Sequence, residues 1–483
     1  MNRRQFFRYA GASALALGGS DLLLRSQAGG KLNVVFILID DMGWRDLTCY
    51  GSRFYETPNI DTLASQGMRF TNAYAACPVC SPTRASIMTG KYPARLHLTD
   101  WIPGRKQWPT ARLLTPKFNQ QLPLEEITIA EALKPEGYAT ASIGKWHLGG
   151  DHFLPQDQGF DLNVAGTQAG STRSYFAPYP ATMKLDAPAG EYLTDRLTDE
   201  AIKFVTANQK RPFFLYLPHY TVHEPLQAKQ PIIERYRAKK PVDAQKDPTY
   251  AAMIDSLDQG VGRLMKTLDD LKLTGKTVVF FMSDNGGLVY EGRSKEPVTS
   301  NAPLRAGKGH LYEGGIREPM FVRWPGVIAP GSVCDVPVSS VDFYPTILEM
   351  AGVRKNPARN VDGVSIMPLL RQSGSLKRDA LYWHYPHYSN QGGVPGGAVR
   401  KGDYKLIEFY GTGRVELYNL KSDIGERNDL AKAEPQKTAE LSRMLHDWRK
   451  SVDAAMPVPN PNYDPAKAGQ GLTGADAQDL QGD

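Results

Sequence analysis

A cysteine followed closely by an arginine marks the first segment whose residue types could do chemistry. The segment reads Cys80-Ser81-Pro82-Thr83-Arg84. Ser81 can cap a helix and Pro82 suits a first helical position, so we expect a turn that enters a helix here. A nucleophile at such a turn gains from helix N-terminal N–H donors and from Arg84, one turn further on. Cys80 is therefore the candidate nucleophile.

Oxygen-bearing side chains follow two apolar runs that lie far apart in the chain. Asp40 and Asp41 follow the first run, and Asp284 and Asn285 follow the later one. Adjacent aspartates alone indicate little, because such residues often cap strand-to-loop junctions. Two strand ends that both deliver hard oxygen ligands are what calcium or magnesium requires. Without nearby cysteine or histidine ligands, the pattern disfavours zinc.

Lysine and histidine side chains occupy three further loops. Lys145 and His147 share the loop 144–149, His223 follows the run 212–217, and Lys308 lies in a glycine-containing loop. Taken singly, a loop lysine is usually a solvated charge and a histidine is usually structural. The modest net charge of +6 suits an anionic substrate.

Buried strands that alternate with helices must position these residues. Apolar runs predict strands over 32–39, 140–143, 212–217 and 277–282, and helical patterns cover 59–66, 129–133, 193–207 and 250–271. This alternation predicts an α/β fold with a large, mainly parallel sheet sandwiched by helices. Open α/β sheets carry their sites at the carboxyl ends of strands, and each of these four strand ends carries polar residues.

The sequence pattern changes after Leu370, and the new pattern predicts a second, smaller domain. Strand-like segments at 380–384, 399–409 and 415–419 precede an amphipathic helix near 437–455. We expect a catalytic domain over 31–370, a small C-terminal α+β domain over 375–456 and an irregular tail over 457–483.

The N-terminal segment predicts export. Paired arginines within residues 2–7 precede a weakly apolar stretch and a small-x-small site at 26–28. Residues 1–28 resemble a twin-arginine signal, which implies the twin-arginine export machinery as a partner and a periplasmic or extracellular location. A disordered basic tail is the alternative. Later runs stay below about 18 apolar residues, so no membrane span is expected.

The number of cysteines and the distribution of basic residues exclude further classes of protein. The 483 residues include four cysteines, too few for a disulfide scaffold, and the basic residues are spread rather than blocked, so no nucleic-acid partner is expected. Cys77 and Cys80 have redox-motif spacing, and a disulfide between them would block the use of Cys80 as a nucleophile. Redox motifs of this kind expect a thioredoxin-like context, so Cys77 is better explained as a small buried residue.

The segment from Cys80 to Thr89-Gly90 resembles the signature of the type I sulfatases, the arylsulfatase A-like branch of the alkaline-phosphatase-like superfamily. In that signature a cysteine followed by x-Pro-x-Arg and then Thr-Gly is oxidised to formylglycine (3-oxoalanine). The resemblance extends over roughly residues 32 to 430. It implies an alkaline-phosphatase-like fold, a hydrolase that releases sulfate from sulfate monoesters, and a formylglycine-generating or sulfatase-maturating enzyme as a partner.

The resemblance also implies a role for each matching residue. One Ca²⁺ would be held by oxygen-bearing groups, namely Asp40, Asp41, Asp284, Asn285 and the modified Cys80. Sulfate binding or proton transfer would fall to Arg84, Lys145, His147, His223 and Lys308, with His147 as the base and His223, together with Lys308, protonating the leaving group. One position departs from the family pattern, because the pocket serine has no clear counterpart in the stretch 166–170. Thr167 or Gln168 could supply that contact, or it could be absent.

Possible substrate contacts lie on polar and aromatic segments at a pocket rim. The candidates are His97, Asp100, Trp101, His219, His384 and His387. Trp and Tyr faces stack on sugar rings, but ordinary inter-domain packing is the alternative explanation. A sulfated carbohydrate of galactose or N-acetylgalactosamine type is the expected substrate, by resemblance to exported polysaccharide sulfatases.

Two other functions compete with the sulfatase prediction. A phosphodiesterase or phosphonate monoester hydrolase of the same superfamily would share the metal-bearing strand ends. Phosphatases of this group generally use Ser or Thr with two zinc ions and need more histidine ligands than the nine histidines here readily supply. A glycan-binding pseudoenzyme is the second alternative, which the intact set of candidate residues argues against.

Overall fold

The fold was analysed in a computed structural model that describes residues 30–107, 109–289, 297–353 and 357–467. The predicted export signal, residues 1–28, lies outside the described residues. Along the described part of the chain, no helix combines the length and the apolar character needed to cross a bilayer.

Short strands and helices alternate along most of the chain. In chain order the strands are β1 (Asn33–Ile39), β2 (Met68–Tyr74), β3 (Leu113–Leu114), β4 (Ala139–Ile143), β5 (Leu162–Val164), β6 (Phe213–Pro218), β7 (Thr277–Ser283), β8 (Arg317–Arg323), β9 (Ser332–Cys334), β10 (Val338–Ser339), β11 (Leu381–Tyr385), β12 (Gly396–Lys401), β13 (Tyr404–Phe409), β14 (Val415–Asn419) and β15 (Val458–Pro459). The α-helices are α1 (Pro58–Ser65), α2 (Cys80–Thr89), α3 (Pro93–Leu96), α4 (Ile129–Leu133), α5 (Leu193–Ala207), α6 (Gln230–Arg237), α7 (Pro248–Asp270), α8 (Glu313–Ile316), α9 (Phe343–Met350), α10 (Met367–Leu370) and α11 (Pro435–Ser451).

The large sheet has nine strands in the order β10-β2-β8-β7-β1-β6-β4-β5, with β9 also pairing β2. Its neighbouring strands are parallel except at β8, which runs antiparallel to β7 and to β2. The predicted mainly parallel sheet is therefore confirmed. In the central pair, Ile39 of β1 lies opposite Ser283 of β7, so the residues that follow both strands leave the sheet side by side.

Burial on both faces explains the continuous apolar run of β1. Val35, Ile37 and Ile39 pack in one core layer together with residues of α5 and α7. Val34 and Phe36 pack on the opposite face, in a layer that includes residues of α2, α4 and α9. Each of these side chains is fully buried, which stabilises the fold by about 1.5 to 3 kcal/mol per large aliphatic or aromatic residue.

A four-stranded antiparallel sheet, β11-β12-β13-β14, forms the core of the C-terminal part. Leu441 and Leu445 of α11 pack against one face of it, beside Val399 and Leu406. The single strand-like segment predicted at 399–409 is wrong, because the structure forms a hairpin from β12 and β13 there. Gly402 has a φ of 59°, a left-handed conformation that favours glycine and turns the chain between the two strands.

The start of the predicted irregular tail contributes a short strand. β15 pairs antiparallel with β3. Asn460 fixes this contact, since its side-chain amide donates to the carbonyl oxygen of Ala111 at 2.7 Å. The domain limits 31–370 and 375–456 stay predictions, although β11–β14 and α11 fall within the second range.

Candidate active site

Cys80 is the first residue of α2 and is almost completely buried, at 3% exposure. The helix begins two residues earlier than predicted, because extended Val79 takes the N-cap position and has no capping side chain. Ser81 does not cap the helix. Its hydroxyl accepts a hydrogen bond from the backbone N–H of Ile102 at 3.2 Å instead, which ties the loop after α3 to the residue beside Cys80.

His147 lies directly against Cys80, with Nδ1 3.3 Å from Sγ. Its Nε2 atom is 2.6 Å from the carbonyl oxygen of Ile102. A carbonyl oxygen only accepts, so Nε2 carries the ring proton and Nδ1 presents a lone pair to residue 80. Burial, with Lys145 as a second cause, lowers the pKa of His147 well below its usual range, so the ring is neutral.

Backbone geometry also fixes the His147 ring. The backbone N–H of His147 donates to the carbonyl oxygen of Thr167 at 3.0 Å, and a φ of 58° places the residue in the left-handed region. Gly170 lies over the ring, where an added Cβ would come within 2.5 Å of Cε1. Any larger residue at position 170 would displace the imidazole ring of His147.

The predicted oxygen ligands meet at the ends of β1 and β7. The backbone N–H of Asp41 donates to Asp284 at 3.2 Å, and the amide of Asn285 donates to Asp41 at 2.8 Å. Asp41 has a φ of 61°, which turns its side chain out of the strand direction and costs a non-glycine residue about 1–2 kcal/mol. All four predicted ligands, including Asp40, are fully or almost fully buried.

Three cations neutralise this acidic group. The guanidinium of Arg84 donates through Nε to Asp284 at 2.9 Å and through Nη1 to the carbonyl oxygen of Lys145 at 2.7 Å. The ammonium of Lys145 donates to Asp40 at 2.6 Å. The ammonium of Lys308 donates to Asp41 at 2.7 Å. We call these three carboxylates and three cations the catalytic cluster.

The pKa values in the catalytic cluster reflect burial opposed by ion pairing. Burial raises the pKa of Asp284 to about 6, with nearby Asp40 as the next cause. Burial alone would raise the pKa of Asp41, but Lys308 and His223 hold it below its usual range. Burial also lowers the pKa of His223 to about 3. The histidine is therefore neutral in this ligand-free arrangement.

Two oxygen atoms, one in the catalytic cluster and one on the adjacent Asn285, fit a hard divalent cation. Asp40 Oδ1 and Asn285 Oδ1 are buried and accept no hydrogen bond within the described part of the chain. Unpartnered buried oxygens are costly unless a cation completes them. Ligand atoms of Asp40, Asp41 and His223 lie within 4.8 Å of one another. His223 was predicted for proton transfer and not as a ligand, and the structure places it beside two of the predicted ligands.

A cavity of about 780 Å³ opens above this group. Among the predicted residues, its lining includes Cys80, His147, His223, Lys308 and Trp101. Thr167 and Gln168, the two residues considered for the departing pocket position, also line it. Sequence reasoning did not predict the other lining residues, which are Ile102, Pro103, Ala169, Gly170, Ser171, Thr182, Glu224, Asn390 and Gln391.

Most of the predicted rim residues do not line this cavity. His97 is half exposed, with Nε2 3.9 Å from Asp453. His219 is buried beneath the sheet end, and burial lowers its pKa to about 4. His384 is buried between the hydroxyl of Tyr410 at 2.7 Å and the carbonyl oxygen of Ala455 at 3.0 Å.

Asp100 and His387 lie behind the cavity rather than on its rim. Both are buried, with His387 Nδ1 3.9 Å from Asp100 Oδ2. The interaction is internal to the fold, so packing explains these two residues better than substrate contact does. Trp101 alone among the six candidates is part of the cavity lining.

The cysteine pair does not look like a redox centre. Cys77 and Cys80 are both free thiols. Burial raises the pKa of Cys77 well above its usual range and also raises that of Cys80. Neither thiol is therefore activated in its unmodified form. Cys77 packs as a small buried residue beside Val79 and Leu311, as expected.

Comparison with known proteins agrees with this geometry. The family model described as Sulfatase matches residues 32–353, and a model described as N-sulphoglucosamine sulphohydrolase, C-terminal, matches residues 306–453. The chain belongs to the sulfatase family. It is a sulfuric ester hydrolase, which favours the sulfatase prediction over the phosphonate hydrolase and pseudoenzyme alternatives.

Relatives share most of their length with this sulfatase. A protein named Sulfatase from Formosa agariphila is 32% identical over 89% of this chain and 90% of its own. Human arylsulfatase A is 33% identical over 88% of this chain and 89% of its own. The crystal structure of Ps i-CgsB in complex with k-i-k-neocarrahexaose superposes with a TM-score of 0.74 at 29% identity, covering 90% of this chain and 96% of the other.

Proposed function

We propose that this sulfatase hydrolyses sulfate monoesters with a formylglycine formed from Cys80 and one Ca²⁺ held by Asp40, Asp41, Asp284 and Asn285. One observation carries the proposal. The lone pair of His147 Nδ1 faces residue 80 at 3.3 Å, and both residues line the cavity together with Lys308. Lys308 pairs with Asp41, and buried Lys145 pairs with Asp40. That arrangement supports binding of a single tetrahedral anion next to a nucleophile and a base.

The formylglycine would supply the nucleophile, and Ca²⁺ would neutralise part of the negative charge. A hydrated formylglycine offers two hydroxyl groups on one carbon, and Ca²⁺ lowers the pKa of an attacking oxygen and polarises the sulfuryl group. The remaining work falls to this chain. Arg84 holds Asp284 in place, and Lys145 and Lys308 face the negative charge that grows on the sulfuryl oxygens.

Proton movements fall to the residues that line the cavity. His147 accepts a proton at Nδ1 from the hydroxyl that does not attack, which restores the aldehyde as sulfate departs. The leaving alcohol takes up a proton as its S–O bond breaks. Lys308 and His223 share Asp41, at 2.7 Å and 3.6 Å, so they lie together on the side where we place this transfer.

We further propose a sulfated carbohydrate of galactose or N-acetylgalactosamine type as the substrate. Trp101 offers an aromatic face for a sugar ring, and Gln168, Asn390 and Gln391 offer amide groups for its hydroxyls. The complex of Ps i-CgsB with k-i-k-neocarrahexaose, named above, supports this substrate class. A panel of defined sulfated oligosaccharides, assayed by sulfate release, tests it.

Maturation and export complete the proposal. A formylglycine-generating or sulfatase-maturating enzyme would oxidise Cys80, and the twin-arginine machinery would export the folded chain to the periplasm or beyond. The paired arginines within residues 2–7 support the export route. Mass spectrometry of the exported and signal-deleted forms would show whether oxidation precedes export, since the aldehyde would then be present in both.

Substitution of Cys80 tests the proposed chemistry. Cys80→Ala and Cys80→Ser should both lower kcat for an aryl sulfate by at least about 10³-fold, because neither residue can supply an aldehyde. Cys334→Ala is the matched control, since Cys334 is half-buried in β9 and should tolerate the change. Multiple turnover by either position-80 variant, or an ordinary thiol in the active enzyme, would contradict the proposal.

A further inference from the structure

The orientation of His147 depends on one backbone carbonyl. Its Nε2–H bond to Ile102 at 2.6 Å selects the tautomer whose lone pair faces residue 80. Bases of this kind are usually oriented through their second nitrogen, and a carbonyl does so only as well as its own position is held. The loop that carries Ile102 must therefore be rigid.

A buried carboxylate holds that loop. Asp100 is 1% exposed, and its Oδ1 accepts the backbone N–H of Trp101 at 2.9 Å. The bond fixes the Asp100–Trp101 peptide, which precedes the Trp101–Ile102 peptide. Gly104 closes the same loop, because a Cβ there would come within 2.8 Å of Phe118 and 3.3 Å of Asp100 Oδ2.

The C-terminal sheet holds the carboxylate in turn. Tyr385, the last residue of β11, donates its hydroxyl to Asp100 Oδ1 at 3.0 Å. His387, two residues later, has Nε2 2.8 Å from the hydroxyl of Thr99. A continuous chain of contacts thus runs from the C-terminal sheet through Asp100 and Ile102 to His147.

We propose that Tyr385 and Asp100 are positioning residues for catalysis, which fix residues 99–102 so that the Ile102 carbonyl keeps His147 Nδ1 aimed at residue 80. The inference rests on the proposed role of His147 as a base. It gives the C-terminal sheet a part in the reaction itself, through proton transfer rather than through sulfate binding. Lys145 and Lys308 are held by other contacts, so the sulfate pocket should be untouched.

Tyr385→Phe is the sharpest test, because it removes one hydroxyl and keeps the buried ring. We expect kcat for an aryl sulfate to fall about 5- to 50-fold, while KM stays within about twofold, since small misplacements of a catalytic group can cost up to about 10²-fold. Tyr404→Phe is the matched control. Its hydroxyl lies on the same sheet and bonds Glu434 at 3.2 Å, away from the loop.

A double-mutant cycle distinguishes positioning from general loosening of the fold. If Tyr385 acts through His147, then Tyr385→Phe should lower kcat in the parent and have almost no further effect in His147→Ala. An equal loss in both backgrounds, or a parent-like kcat in Tyr385→Phe, would overturn the inference. Asp100→Asn gives the same readouts should Tyr385→Phe fail to fold.

A structural readout separates this inference from the proposed function. The ring ¹⁵N shifts of His147 should report a single Nε2–H tautomer in the parent and a mixture in Tyr385→Phe. An unchanged tautomer in the variant would overturn the inference even where sulfate release is normal. Failure of the parent and of Tyr404→Phe to release sulfate would instead overturn the proposed function.

Discussion

Two buried clusters of charge lie in this sulfatase, and they are completed in different ways. In the catalytic cluster, Asp40 Oδ1 has no hydrogen-bond donor among the residues that the structure describes, although Asp40 is fully buried. The second cluster, which we call the interface cluster, joins α8 to the C-terminal sheet and consists of Glu313, Arg317, Lys405 and Glu426. There Lys405 donates to Glu313 and to Glu426, both at 2.9 Å.

The remaining carboxylate oxygens of the interface cluster are also satisfied. Glu313 accepts the hydroxyl of Tyr74 at 2.7 Å and a guanidinium N–H of Arg317 at 3.1 Å. Glu426 accepts the backbone N–H of Glu313 at 2.7 Å. Burial and charge are similar in both clusters, so they do not by themselves mark a site. What distinguishes the catalytic cluster is its unsatisfied oxygens and the cavity above them.

Removal of the proposed divalent cation should have the largest effect and should act on the catalytic cluster alone. We expect chelation to lower kcat by at least about 10³-fold and added Ca²⁺ to restore it, because the orphaned oxygens of Asp40 and Asn285 lose their partner. The melting temperature should fall as well, by linkage. Activity that persists when elemental analysis finds no bound ion would remove the distinction between the clusters.

Substitution in the interface cluster should have the opposite profile. Lys405→Met removes the cation between two buried carboxylates, so we expect a loss of about 3–5 kcal/mol in the free energy of unfolding. Activity per folded molecule should be unchanged. The matched control is Lys401→Met, since Lys401 is exposed and solvent screens its pair with Glu440. A large loss of kcat in folded Lys405→Met would show that this cluster also serves catalysis.

The sequence predicts those parts of the fold in which burial on both faces requires an unbroken run of apolar residues. β1 and β7 are buried on both faces, so their apolar runs are unbroken and their ends are visible as the first acidic residues. Parallel pairing then brings Asp40 and Asp284 to one edge without further information. For this reason the catalytic cluster could be assembled from local sequence.

The rim of the cavity could not be predicted, because its residues depend on long-range docking. Asn390 and Gln391 belong to the loop between β11 and β12, and only the packing of the C-terminal sheet against the catalytic part brings them to the cavity. The aromatic residues of β11 led to a wrong expectation for a related reason, because His384 was placed at the cavity rim. Trp383 and Tyr385 face the core, and His384, on the other face, bonds Tyr410. The alternation of β11 could have indicated this.

The pH dependence of stability provides a smaller test, which compares a buried carboxyl that forms direct ion pairs with one that is held mainly by hydrogen bonds. Burial raises the pKa of Asp100 to about 7, although Tyr385, the backbone of Trp101 and Arg105 partly offset it, and His387 is neutral because burial lowers its pKa to about 3. In Glu313, Lys405 and Arg317 outweigh burial and lower the pKa to about 2.

These two pKa shifts predict opposite slopes of stability against pH. Folded Asp100 binds a proton that the unfolded chain has lost between pH 3.8 and about 7, so its contribution to stability falls as pH rises through that window. Glu313 contributes stability that is lost as pH falls from 4.5 to about 2. Relative to the parent, Asp100→Asn should therefore gain stability as pH rises from about 4 to about 7, by at most about 4 kcal/mol, and then level off. The stability of Glu313→Gln should approach that of the parent only at the acid end.

Denaturant unfolding of the three proteins between pH 3 and pH 8.5 measures both slopes. Parallel curves for Asp100→Asn and its parent would mean that Asp100 stays ionised. Hydrogen bonds and the charge of Arg105 would then hold a buried carboxylate that the interface cluster holds with direct ion pairs.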